Sequence, residues 1–418
     1  MRLKPLGHPS IIKIKFIYLM DFFKFNEFDY NNKSVAIRVD LNLPYNSKTK
    51  KLSETIRLRE HVKTIKELQN RNARIVVLAH QGRKGKEDFI SLEKHVCLLE
   101  KYLGKVKFIK FGENFDQVRK MKEGEIILLD NVRFYDDETE DKDIVEHSKS
   151  KLTGDLAPYI DYFILDAFSV AHRNHASVVG FSSVKPCICG PVFENELKNL
   201  EEFVKKLENS KSCFILGGAK PKEPVDLIKN WIEKDVNILT TGIISLLFLT
   251  ARGYKLGETE NFLIEKGYFK HIDEIKKLDC DKIKTPIDLG ILKEDKRTDI
   301  PIKDMPVEER ILDIGKNTVK YYKKLIDTSK VVCMKGTAGV YEKKNFEFGT
   351  KKLFDFLGKN SLIGGGNTTD ALEKLKINFG KFGYVSLGGG AFVEFLCKKK
   401  LPGIEGLENS KKIFGNIL

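Results

Sequence analysis

Short β-branched runs alternate with helical patterns from one end of the chain to the other. In the first half the strand candidates are Val35–Val39, Arg74–Ala79, Val106–Lys110, Ile126–Leu129 and Tyr162–Leu165, with helical stretches such as Arg57–Asn70 and Ser91–Leu103 between them. The second half continues with strands at Cys213–Leu216, Val236–Thr240, Lys282–Ile287, Val331–Met334, Ser361–Ile363 and Tyr384–Leu387. Helices over about 223–234, 243–252, 317–328, 368–376 and 391–398 separate most of them. Alternation of this kind demands parallel sheets covered by helices on both faces. Eleven strands are many for one twisted sheet. The expected fold is therefore α/β, with two doubly wound parallel-sheet lobes joined by a hinge helix.

The joint falls between Phe181 and Lys211, where a turn-like stretch around Pro186, Gly190 and Pro191 leads into Glu194–Glu208, a run without Gly or Pro. The division expected is a first lobe over 20–190, a hinge helix over 191–210, a second lobe over 211–397 and a segment 398–418 returning to the first lobe. Residues 1–19 precede a second methionine, Met20, and read as an extension, consistent with a start assigned too far upstream. Their apolar part, Phe16 to Met20, is too short for a secretory signal.

Composition changes the picture in two respects. The 418 residues are 41% hydrophobic and 32% charged, which supplies large cores and rules out a disordered or collagen-like chain. Lys and Arg outnumber Asp and Glu by 73 to 59, a formal charge of +14. That excess favours polyanionic partners, although the charges are interspersed and no like-charge tail is present. Seven cysteines include no C-x-x-C pair, and Cys187 and Cys189 are read as turned to opposite strand faces, so neither zinc nor a disulfide framework is indicated. Buried thiols in a reducing cytoplasm fit better. The most apolar stretch, Ile238 to Ala251, is interrupted by Thr, Gly and Ser and is too short to span a membrane.

In an open α/β sheet the ligand sits beyond the carboxyl ends of the strands. In the first half those ends carry Asp40 and Asn42, then His80, Gln81, Gly82 and Arg83, then Asp130, Asn131 and Arg133, then Asp166 with His172, Arg173, Asn174 and His175. Arg57 opens the first long helix. Arg57, Arg83, Arg133 and Arg173 make a convergent set of planar donors matched to carboxylate or phosphate. His80, His172 and His175 are read as anion contacts rather than a metal pair. The second half has glycine at the equivalent ends: Gly217-Gly218-Ala219-Lys220, Lys335-Gly336-Thr337-Ala338-Gly339, Gly364-Gly365-Gly366-Asn367-Thr368 and Gly388-Gly389-Gly390. Such loops let phosphates approach the backbone and the positive start of a helix. No P-loop motif and no protein-kinase motif set is present. One lobe for a small acid and one for a nucleotide imply phosphoryl transfer between them.

The stretches RVDLNLP (38–44), AHQGRKG (79–85), LLDNVRF (128–134), DAFSVAHRNHAS (166–177), LGGAK (216–220), KGTAGVYE (335–342), GGGNTTDALEKL (364–375) and LGGGAFVEFL (387–396) occur in an order that resembles the phosphoglycerate kinases, over about residues 28–407. The Lys-rich loops are similar to those of archaeal members. The resemblance implies a two-lobe hinge enzyme that interconverts 1,3-bisphosphoglycerate plus ADP and 3-phosphoglycerate plus ATP, with Mg2+. It implies that Asp40, Leu41, Asn42, Arg57, His80, Gln81, Gly82, Arg83, Arg133 and Arg173 serve 3-phosphoglycerate. Arg57 would lie near the transferring group and Lys220 would neutralise it. Glu342 would take the ribose hydroxyls, and Gly336, Gly365, Gly366, Asn367 and Thr368 the phosphate tail.

The departures from the family pattern fall in the nucleotide half. Asn367 stands where GGGDT carries a metal-serving Asp, so the metal contact would be neutral and weaker. Pro224 stands where a second lysine is usual, with Lys222 or Lys335 as the replacement cation. The WNGP turn is Met334-Lys335-Gly336-Thr337, and the triple-glycine adenine loop is Thr240-Thr241-Gly242. A catalytically weakened relative that binds a phosphorylated ligand or a protein is the alternative. A nucleic-acid binder would need a clustered basic face with aromatic stacking, which the sequence lacks. A monomer is favoured over a homodimer.

Overall fold

A computed structural model describes residues 21–417; the extension expected over residues 1–19 lies outside them. Among the described residues, seven strands form a first sheet in the order Phe23–Lys24, Cys187–Cys189, Tyr162–Leu165, Ser34–Arg38, Arg74–Leu78, Ile126–Leu129, Val106–Ile109. Every neighbouring pair is parallel. A second sheet of six parallel strands runs Ile283–Lys284, Val236–Thr240, Ser212–Leu216, Val331–Lys335, Ser361–Gly364, Tyr384–Val385. Two parallel-sheet lobes are thus as the alternation predicts, with edges shifted by a residue or two. The Lys282–Ile287 strand is an exception: it shrinks to Ile283–Lys284.

The pleat sorts the core. Ala36, Val76 and Leu78 face one side of the first sheet, while Val35, Ile37 and Val77 face the other. Phe214 and Leu216 are likewise separated from Cys213 and Ile215 in the second. Successive strand side chains point to opposite faces, so each fully apolar strand feeds two cores. The inner cores of the two lobes are continuous through Phe193, Leu197, Leu200, Phe203 and Leu207 on the helix Pro191–Asn209. That helix is gripped from both sides. Val192 N donates to Asp166 Oδ1 of the first lobe at 2.8 Å, and Glu196 accepts from Ser386 Oγ at 2.8 Å and Leu387 N at 2.5 Å in the second.

Three features depart from the pattern reading. The stretch before Pro191 contains a strand, Cys187–Cys189, at a position read as turn. Its two cysteines share one face, in the continuous core, because residues two apart on a strand must; the expectation that they turn apart was an error of period. Finally, Asp288–Lys293 pairs antiparallel with Lys296–Pro301 and Ile311–Ile314. This small sheet interrupts the strand–helix alternation, and its charged outer strand hid it from a search for apolar runs.

Candidate active site

The carboxyl ends of both sheets meet at one cavity of about 230 Å³, walled from the first lobe by Asp40, Asn42, Arg57, His80, Arg83, Ser169, His172 and Arg173. The second lobe supplies Gly218, Lys220, Glu223, Lys335, Gly336, Gly365, Gly366, Asn367 and Thr368. The strand-end rule thus locates most of the wall.

Asp40 is the carboxylate at its centre. Asn42 N donates to Oδ1 at 3.0 Å, and Ser169 Oγ donates to Oδ2 at 2.6 Å. Arg57 Nη1 lies 3.4 Å from Oδ2. Burial pushes the Asp40 carboxyl up, but Arg57 and these hydrogen bonds outweigh it and hold it below its usual range. Arg57 is the second residue of the helix Ile56–Asn70. The N–H of Ile56, which has no partner within the helix, donates across the lobes to Glu373 Oε1 at 2.9 Å. A Cβ placed on Gly366 would stand 3.9 Å from Arg57 Nη2. The guanidinium therefore joins the first-lobe side of the cavity to the glycine loop of the other lobe.

His80 is buried, and Arg38 Nη2 lies 2.9 Å from its Nδ1. Guanidinium only donates, so Nδ1 accepts and the neutral ring's proton sits on Nε2. Burial, reinforced by Arg38, Arg133 and Arg173, holds the His80 pKa well below normal, so the ring is a neutral single donor. His172 lines the cavity too, its pKa lowered to about 4 by burial and Arg173. His175 does not line it; its Nδ1 faces Glu138 Oε1 at 3.7 Å.

Four expected substrate contacts stand elsewhere. Leu41 is core. Gln81 mimics a strand partner, with Leu43 N donating to its Oε1 at 2.9 Å and its Nε2 donating to Leu43 O at 3.0 Å. Gly82 turns the chain at φ +68, where a Cβ would run into the Asp88 carbonyl. Arg133 donates to Gly82 O from outside the cavity wall, though its charge is close enough to depress His80. For Gly82→Ala we expect a loss of about 2 kcal/mol or more from backbone strain, read as a lower urea midpoint. An unchanged midpoint would contradict this geometry.

The support beneath the cavity lies outside the strand-end pattern. Arg38 is fully buried in its strand, donating to Ser177 Oγ at 3.0 Å, and buried Glu138 accepts from Ser177 N at 2.8 Å. A charged residue within an otherwise apolar strand was the available signal for Arg38. None marked Glu138, because its partners lie far away in sequence. Ser169 and Glu223 also went unnoticed.

A second cavity of about 250 Å³ lies behind the glycine loops, lined by Leu246, Phe262, Leu289, Ile311, Val340 and Tyr341, with Glu342 also in its wall. Gly218, Ala219 and Asn367 belong to both cavities. Asn367 is not the N-cap of its helix: Gly366–Lys374 starts one residue before it, and Gly365, at φ 101, is the cap. Thr368 Oγ1 accepts from Gly336 N at 2.8 Å, and a Cβ on Gly336 would strike the Gly217 carbonyl. Pro224 sits in the first turn of the helix Lys222–Trp231, where its missing N–H breaks no intrahelical bond. Lys335 reaches the cavity wall, whereas Lys222 does not.

The phosphoglycerate kinase family model matches residues 25–399. A phosphoglycerate kinase of Methanothermus fervidus is 38% identical over 408 residues, covering 94% of this chain and 98% of that one. One from Methanococcus maripaludis is 37% identical, covering 93% and 98%. The crystal structure of the Pyrococcus horikoshii phosphoglycerate kinase superimposes with a TM-score of 0.88 at 29% identity, covering 94% of this chain and all of that one.

Proposed function

The chain belongs to the phosphoglycerate kinase family and is a phosphotransferase that moves a phosphoryl group reversibly between 1,3-bisphosphoglycerate with ADP and 3-phosphoglycerate with ATP; on that premise we propose how its residues divide the reaction. Asp40, Asn42, Arg57, His80, Arg83 and Arg173 hold 3-phosphoglycerate, with Arg133 adding charge from behind. The apolar cavity takes the base, Glu342 the ribose hydroxyls, and the loops at Gly336 and Gly365–Thr368 the phosphates. The observation that carries this reading is that the two cavities adjoin, with Gly218, Ala219 and Asn367 lining both. A nucleotide seated in the apolar one extends its phosphates into the cationic one. Transfer is then direct and in line, helped by positioning and charge rather than by a covalent intermediate. A coupled assay tests it: ADP must form from ATP only when 3-phosphoglycerate is added. Failure of that dependence would revive the weakened-relative reading, which the intact cation set leaves unsupported.

We assign 20–190 to the 3-phosphoglycerate lobe, 191–210 to the hinge and 211–397 to the nucleotide lobe. The segment 398–418 returns to the first lobe, a reading supported by Cys187 N donating to Ser410 Oγ at 2.7 Å. A monomer in the cytoplasm without nucleic-acid or membrane partners completes the proposal. No described helix is long and apolar enough to cross a membrane, and the unpaired cysteines suit a reducing compartment.

Magnesium belongs with the nucleotide in this reading. Among the described residues no three His, Cys, Asp or Glu side chains converge on a metal position, but Asn367, which lines both cavities, offers an amide oxygen. Such a donor set suits an ion carried in on phosphate oxygens, which keeps several waters and takes one or two protein ligands. When bound it would offset phosphate charge. Asn367→Asp adds a negative charge there and should tighten apparent Mg2+ affinity at fixed ATP, without necessarily raising turnover. Superimposable magnesium titrations of the two proteins would remove Asn367 from the metal's surroundings.

A further inference from the structure

Lys335 is the last residue of the strand Val331–Lys335, paired with Leu216 on one side and Gly364 on the other. The end of its strand therefore lies between two of the glycine loops, the one that follows Leu216 and the one at Gly364–Gly366. It is 5% exposed, and its ammonium lies 2.6 Å from Glu223 Oε2 inside the cavity. The stem runs along Gly365, where an added Cβ would stand 3.6 Å from Cγ and 3.8 Å from Cε.

Burying a lysine costs rotamer freedom and hydration, and a buried ion pair rarely stabilises a fold more than apolar packing would. A structural clasp thus accounts poorly for a lysine aimed into an anion cavity. Burial and the neighbouring Lys220 pull the Lys335 ammonium down, and Glu223 opposes them. Glu223 itself is 32% exposed and sits in the first turn of Lys222–Trp231. The helix start stabilises its carboxylate there whether or not the ammonium stays.

Resting on the assignment of this cavity to phosphoryl transfer, we propose that Lys335 is a second catalytic cation, held by Glu223 in the free enzyme and exchanging that carboxylate for the oxygens of the migrating phosphoryl group, alongside Lys220. No bond of the lysine forms or breaks and no proton moves. The ammonium changes partner, and Glu223 keeps it in place and desolvated beforehand.

The test compares Lys335→Met, Lys335→Ala, Lys335→Arg and Glu223→Gln with the native enzyme. Removing one preorganised charge donor from a transition state is worth about 100-fold or more in kcat, so Lys335→Met should lose that much while KM for ATP changes several-fold at most. Lys335→Arg should retain far more turnover, and ethylammonium should restore part of the activity of Lys335→Ala, which a clasp would not allow. Glu223→Gln should cost much less kcat than Lys335→Met. A clasp predicts equal losses from the two, in melting temperature as well as rate. Turnover of Lys335→Met within threefold of native, or matched losses from both partners without amine rescue, overturns the proposal. Lys220→Ala run in parallel separates the levels: if it too is fully active, the assignment of the cavity fails, and not Lys335 alone.

Discussion

Arg57→Ala is expected to lower kcat by about 1,000-fold, at the upper end of what one preorganised charge donor contributes, while the ATP dissociation constant stays nearly unchanged. The split follows from position. Arg57 belongs to the acid lobe, 3.4 Å from Asp40 and outside the apolar cavity, so the base and ribose do not depend on it. Its Nη2 nevertheless reaches the Gly366 loop, between the proposed seats of the acid and of the nucleotide phosphates. Charge on the group in transit opposes Arg57 more strongly than charge on either ground state, and only such differential binding raises kcat. Steady-state turnover with titration calorimetry of ATP decides it. Near-native turnover would break the proposed acid site at its centre, and a parallel loss of ATP affinity would move Arg57 to the nucleotide.

Lys220→Ala should reduce kcat far more than it raises KM for ATP. Lys220 closes the Gly217–Lys220 loop, and its residue lines the cavity shared by both lobes. Unlike Lys335 it is solvent-exposed and forms no ion pair among the described residues, which leaves its ammonium free to follow the phosphoryl group. A lysine that acts on the moving group lowers kcat and kcat/KM together when removed. A change confined to KM would make it a ground-state phosphate anchor, and the transition-state role would pass to Arg57 and Lys335.

The two sheets and the location of the cavity were legible in the sequence. Apolar runs such as Ile126–Leu129, separated by helical spacing, already require parallel strands covered on both faces, and the polar residues that follow them must gather at one edge. That is why Asp40, Arg57, His80, Arg83, Arg173 and Lys220 could be placed on the cavity from local pattern alone. What a side chain does there depends on partners that local pattern does not contain. Gln81 and Arg133 occupy the same kind of strand end as His80 and Arg83, yet one stitches Leu43 and the other holds the Gly82 carbonyl. The antiparallel sheet around Asp288–Lys293 escaped notice because its outer strand, Lys296–Pro301, is polar and half-exposed. The burial of Arg38, the single N–H that His80 offers, and the pairing of Lys335 with Glu223 join residues 42 to 139 positions apart. Strand periodicity is a property of neighbouring residues and survives in the sequence. Charge state, tautomer and ion pairing are set by what the folded chain brings within a few ångströms, and those were decided by the tertiary structure.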